Sequence, residues 1–101
     1  MPVTLEENDS SCILHLQGEM AISTALELKE DLLHALASQK SLYLKLAEVS
    51  EIDVTIMQLL WAATSEASRA GSPISVEGPV SEQIKAALNI AGLASSLEIQ
   101  P

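Results

Sequence analysis

Three short stretches of this chain alternate apolar and polar residues, and segments of helical periodicity separate them. Cys12, Leu14 and Leu16 alternate with Ile13 and His15; Leu42, Leu44 and Leu46 alternate with Tyr43 and Lys45; Ile74 and Val76 alternate with Ser75 and Glu77. A strand buried on both faces reads as a continuous apolar run, so this alternation means a sheet with one covered face and one wet face. Between the strands, residues 24–37 place Ala25, Leu28, Leu32, Ala35 and Leu36 on one helical face. Residues 54–69 do the same with Ile56, Leu59, Leu60, Ala63 and Ala67. Each strand–helix–strand step is a right-handed crossover that joins parallel neighbours. Residues 3–7 add a first strand, and the turn-rich Asn8-Asp9-Ser10-Ser11 predicts an antiparallel hairpin to the second. The expected fold is α/β: a two-layer sandwich with a mixed four- to five-stranded sheet and helices packed mainly on one face.

Local signals mark the element ends. Gly18 punctuates the chain after the second strand. Thr24-Ala25-Leu26-Glu27 fits a capping box, in which hydroxyl and carboxylate satisfy orphan N–H groups reciprocally. Asp53 is a good N-cap for the second helix, and Gly71 with Pro73 beyond it stops that helix. A third helix begins near Ser81, carries Ile84, Ala87, Leu88 and Ala91, and ends at Gly92. Residues 93–101 add one further short helix or strand.

With 101 residues, one domain over 1–101 is expected, and a chain of that size buries a real core. Phe is absent and aromatics total 2%, so the core must be aliphatic. The net charge of −9 repels phosphate backbones and anionic headgroups, which argues against nucleic-acid binding and membrane docking. No apolar run approaches the roughly 18–20 residues of a membrane span. Met1 to Glu7 lacks the basic and apolar segments of a signal peptide, and the single cysteine, Cys12, suits a reducing cytoplasm. Cys12 falls in the apolar set of its strand and is expected to be a small core residue.

Catalytic chemistry has no visible address. The sequence contains no Gly-x-Ser-x-Gly elbow, Walker loop or Gly-x-Gly-x-x-Gly turn. Glu30 and His34 stand one helical turn apart, which is metal-ligand spacing, but a lone pair does not make a site. Neither metal nor cofactor is expected.

The most informative stretch is Leu44-Lys45-Leu46-Ala47-Glu48-Val49-Ser50-Glu51-Ile52-Asp53-Val54-Thr55-Ile56-Met57-Gln58-Leu59-Leu60. A strand enters a short loop, and an acidic residue caps a helix with an exposed first turn. This resembles the STAS domain, the fold of bacterial anti-sigma factor antagonists. The resemblance extends over nearly the whole chain, through Gly18, Ala70-Gly71, Ile74-Ser75-Val76-Glu77-Gly78-Pro79 and Ala86-Ala87-Leu88-Asn89-Ile90-Ala91-Gly92-Leu93. It implies a non-enzymatic signalling module that binds a serine kinase or anti-sigma-like partner. In the family, the serine directly after the loop aspartate is phosphorylated and the phosphate switches partners. Here the aspartate is Asp53 and the serine position is Val54, which has no hydroxyl; the neighbouring Thr55 is the candidate acceptor. Val54, Met57 and Trp61 form a second apolar stripe beside the core stripe. Asp53, Val54, Thr55, Met57, Gln58 and Trp61 are therefore the candidate partner-binding residues. Single STAS domains also resemble the cytoplasmic accessory subunit of a bacterial lipid-transport ABC complex, which implies an ATPase as the alternative partner.

Overall fold

The computed structural model describes residues 2–93. The short element expected over 93–101 lies, beyond Leu93, outside them. The chain runs β1 (Val3–Glu7), β2 (Ser11–Met20), α1 (Ile22–Ser38), β3 (Ser41–Ile52), α2 (Val54–Arg69), β4 (Ser75–Val76) and α3 (Glu82–Ile90). The strands form one sheet in the order β1-β2-β3-β4. The β1–β2 pair is antiparallel, and the β2–β3 and β3–β4 pairs are parallel. Asn8 builds the hairpin turn: its side-chain oxygen accepts from the backbone N–H of Ser10 at 3.0 Å and of Ser11 at 2.9 Å.

The expected facing holds. Cys12, Leu14, Leu16, Leu42, Leu44, Leu46, Ile74 and Val76 are buried in one cluster with Leu28, Leu32, Ile56, Leu60, Ile84 and Leu88 of the helices. Thr4, Glu6 and Glu77 on the other face are exposed, and His15, Tyr43, Lys45 and Ser75 are half-buried. The aliphatic core follows from the lack of phenylalanine: branched side chains from both layers fill it.

Three local expectations are corrected. Gly18 does not end β2. It takes φ +76° inside the strand, and two register irregularities, at His15/Gln17 and at Gly18/Glu19, let β2 and β3 pair as far as Met20 and Ile52. A bulge inserts residues without ending the ladder, so pairing outlasts the simple alternation. The capping box over Thr24 to Glu27 does not form. The helix starts at Ile22 with Ala21 as a cap that lacks a side-chain bond. Thr24, already inside the first turn, donates its hydroxyl to the Ala21 carbonyl at 2.8 Å. The fourth strand shortens to Ser75–Val76.

The longer β2–β3 pair positions the site. Met20 and Ile52 are partners, and the N–H of Asp53 donates to the Met20 carbonyl at 3.0 Å. The strand end is thereby anchored one residue before α2 begins.

Candidate functional site

Asp53 adopts extended backbone, and its Oδ1 accepts from the N–H of Ile56 at 3.1 Å, as an N-cap does. The cap fixes where α2 starts and hence which side chains its first turns present. Three consequences follow from a helical step of about 100° per residue. Ile56 and Leu60 point into the core and are fully buried. Thr55 is half-buried and does not line the groove described below. Val54, Met57, Gln58 and Trp61 share the remaining side, which looks toward α3.

That side forms one wall of a groove of about 530 Å³ whose other wall is Ala87, Ile90 and Ala91 at the end of α3. Val54 is 63% exposed, Trp61 58% and Ile90 87%, while Met57 is partly buried against the core. Trp61 is the only tryptophan in the chain. Among the described residues, all six exposed large apolar side chains lie on helices: Ile22, Leu26, Leu33, Val54, Trp61 and Ile90. The wet face of the sheet carries none of them. Folding alone gives no reason to leave such surface open, and contiguous exposed apolar patches mark docking sites.

Carboxylates gather at the strand ends that lead into the site. Glu19 and Glu51 stand opposite one another across the parallel pair, and Gln17 faces Glu48. All three acids are exposed. The groove itself is lined by uncharged residues, and Glu19 and Glu48 border a separate hollow with Pro2, Gln17 and Gly18.

Of the six candidate residues from the sequence, four line this groove. Asp53 is committed to the helix cap, and Thr55 lies outside the groove. The α3 wall was missed. Ile90 stands outside the helical stripe Ile84, Ala87, Leu88 and Ala91, and an apolar residue excluded from the buried stripe was the available signal. Ala91, expected in that stripe, is exposed at the helix end.

Among the described residues no group of three or more His, Cys, Asp or Glu side chains gathers around Glu30 and His34. The His34 ring instead meets Glu7 on β1 at 3.1 Å, and the same carboxylate accepts from Lys40 at 2.9 Å. These contacts hold the Glu7 carboxyl below its ordinary pKa, the Lys40 hydrogen bond acting most strongly and His34 next. His15 pairs with Glu6 at 3.2 Å on the open sheet face. Cys12 is fully buried, with its sulfur 3.5 Å from the Ser38 hydroxyl.

The family model described as "Mlab, STAS domain" matches residues 3–100. Solved structures share the fold. An anti-sigma factor antagonist from Mycobacterium paratuberculosis superposes with a TM-score of 0.80 at 19% identity, over 98% of this chain and 84% of that one. The phosphorylated form of SpoIIAA, a Bacillus cell fate determinant, gives 0.75 at 14% identity, over 98% and 91%. A variant of RsbS from Moorella thermoacetica gives 0.74 at 20% identity, over 92% and 80%. Comparison with curated proteins finds no match.

Proposed function

This chain belongs to the STAS domain family, and from that premise we propose that it is a non-enzymatic regulatory module of the bacterial cytoplasm that acts by binding another protein. The partner docks in the groove between α2 and α3. The observation that carries this reading is the cluster of Val54, Trp61 and Ile90, open to solvent around one apolar floor. Tryptophan is enriched among the residues that dominate binding energy. The partner segment presents apolar side chains to the floor, and a net positive charge on the partner would speed its approach, because the chain carries a net charge of −9.

The partner class follows from the resemblance to anti-sigma factor antagonists: a serine kinase or anti-sigma-like factor. Val54 sets the mode of control. With no hydroxyl directly after Asp53, binding is constitutive at that position, and Thr55 is the only hydroxyl left in the first turn of α2. A phosphate on Thr55 would meet the positive end of the helix dipole but also the charges of Asp53 and Glu51, so it would act on partner binding more than on folding. Val54 also favours a second reading. An apolar residue in place of a switch suits an accessory subunit that stays docked on the ATPase of a lipid-transport ABC complex.

The test is capture from the native host followed by reconstitution with the purified partner. Trp61→Ala should weaken binding by at least about tenfold, or roughly 1.4 kcal/mol, and Val54→Asp should abolish it. Wild-type affinity in both variants would refute the groove. The mass of the captured partner separates kinase from ATPase, and phosphopeptide mapping shows whether Thr55 is modified.

A further inference from the structure

No charged side chain lines the groove between α2 and α3. Val54, Met57, Trp61, Ala87, Ile90 and Ala91 are apolar, and Gln58 completes the lining. Apart from the Trp61 indole N–H, the Gln58 amide is the only polar side-chain group there. Gln58 stands one turn after Val54 and one turn before Trp61, on the same side of α2. It is exposed, and its side-chain amide makes no hydrogen bond among the described residues. Water satisfies that amide only while the groove is open. Once an occupant covers Val54 and Trp61, no side chain of the lining is a strong acceptor for the two N–H donors of Gln58. A buried polar group left unpaired costs more than a hydrogen bond returns, so the occupant must supply the partner.

The walls restrict what can supply it. Both are helix flanks, whose backbone hydrogen bonds run along their own axes: the Met57 N–H is spent on the Asp53 carbonyl, and the Ala91 N–H on the Ala87 carbonyl. An extended segment needs an open strand edge to satisfy its backbone, and a helix flank presents none. A helix satisfies its own backbone and fits a cleft between two others. From Val54 to Trp61 the rise is about 10 Å, which is two turns of such a helix. Charge narrows its facing side chains further. Lys, Arg, Asp or Glu laid on this lining would lose water with no opposite charge to meet it, so the complementary face is uncharged.

On the reading that this groove is the docking site, we propose that Gln58 determines which partners it accepts. The occupant is a helix of a partner protein. It sets one uncharged polar side chain, Asn, Gln, Ser or Thr, against the Gln58 amide, with apolar side chains over Val54 and Trp61 on either side. A wholly apolar helix fits the same space but leaves the amide unpaired, so Gln58 works against it. The apolar residues supply affinity, and the one polar residue among them supplies register and choice of partner.

Two displayed libraries, selected against the whole chain, test the proposal. One randomises the exposed face of a helix in a stable, tryptophan-free helical bundle; the other randomises an extended segment flanked by prolines. Both admit apolar, amide, hydroxyl and charged residues at every varied position. Helices should be enriched, with apolar residues two turns apart and Asn, Gln, Ser or Thr between them. The selected helices should shift Trp61 emission to the blue and lose binding to Val54→Asp, which places them in the groove. Gln58→Leu should weaken such a helix by roughly fivefold or more, and a fresh selection on Gln58→Leu should favour Leu, Ile or Met at the polar position. Gln58→Glu, close in shape, should weaken it by about tenfold or more, because its charge is buried unpaired. Circular dichroism of both variants should match the wild type, since Gln58 is exposed. Helices bound in the groove with full affinity for Gln58→Leu overturn the proposal and leave the groove as the docking site. Extended segments, or charged facing residues, enriched in the groove do the same. Binders indifferent to Val54→Asp, with Trp61 emission unchanged, overturn it and count against the groove as well, and a selection that yields no binder also overturns it. A blue shift of Trp61 that grows with the concentration of the chain alone overturns it and makes the occupant a second copy.

Discussion

Asp53 and Val54 are adjacent yet serve different ends. Asp53 accepts from the Ile56 N–H and holds the start of α2. Asp53→Ala should therefore cost about 0.5–2 kcal/mol of stability, with most of it retained in Asp53→Asn, as read from urea unfolding midpoints. Val54→Ser should change stability by no more than about 0.5 kcal/mol, because the side chain is exposed. It would restore the hydroxyl that the family's switch uses, so phosphate transfer to position 54 in Val54→Ser alone is expected when the cognate kinase is added. The Asp53 cap was legible because its signal is local: an acid directly ahead of an apolar helical period. The Thr24 box was misread for the complementary reason. Its residues fit the pattern, but the end of β2 at Met20 decides where α1 begins, and that end depends on pairing with a distant strand.

Facing was the most legible property of the elements. Leu44 is fully buried and Lys45 half-exposed, with a 3.6 Å ion pair to Glu77 across the open face. Leu44→Ala should cost about 2–5 kcal/mol, whereas Lys45→Ala should cost no more than about 1 kcal/mol, the range of an exposed ion pair. Comparable losses in the two unfolding curves would mean the strand faces the other way. Strand length was less legible. Bulges carry β2 and β3 past the point where strict alternation stops, and a bulge has no period to detect. Gly18 shows how the extension is built, since its φ of +76° is one that side-chain-bearing residues rarely adopt. Gly18→Ala should destabilise by about 1 kcal/mol or slightly more, although nothing crowds the position. The α3 wall of the groove was the element-level omission. Sequence periodicity identifies what a helix buries, but the packing of α3 beside α2 determines which unburied residues meet.

At the scale of the whole molecule, open apolar surface is confined to the helical layer among the described residues. The sheet's outer face is polar, and the helical layer carries all the exposed large apolar side chains of the described residues. Charge also makes stability depend on pH. Glu7 titrates below its ordinary value because Lys40 and then His34 hydrogen-bond its ionised form. The unfolded chain therefore binds the proton more readily than the folded one. The stabilisation is fully present above the ordinary glutamate pKa and is lost as pH falls below it. Urea midpoints followed into acid should decline less steeply in Glu7→Gln than in the wild type. The central claim is that a protein partner occupies the groove between α2 and α3, and Trp61, the only tryptophan, reports on that groove directly. Titrating a tryptophan-free form of the purified partner while reading Trp61 emission is the most direct measurement. The account predicts a saturable blue shift as water leaves the ring, and no shift in Val54→Asp. Saturable binding measured independently, with Trp61 emission unchanged and full affinity in Val54→Asp, would contradict it.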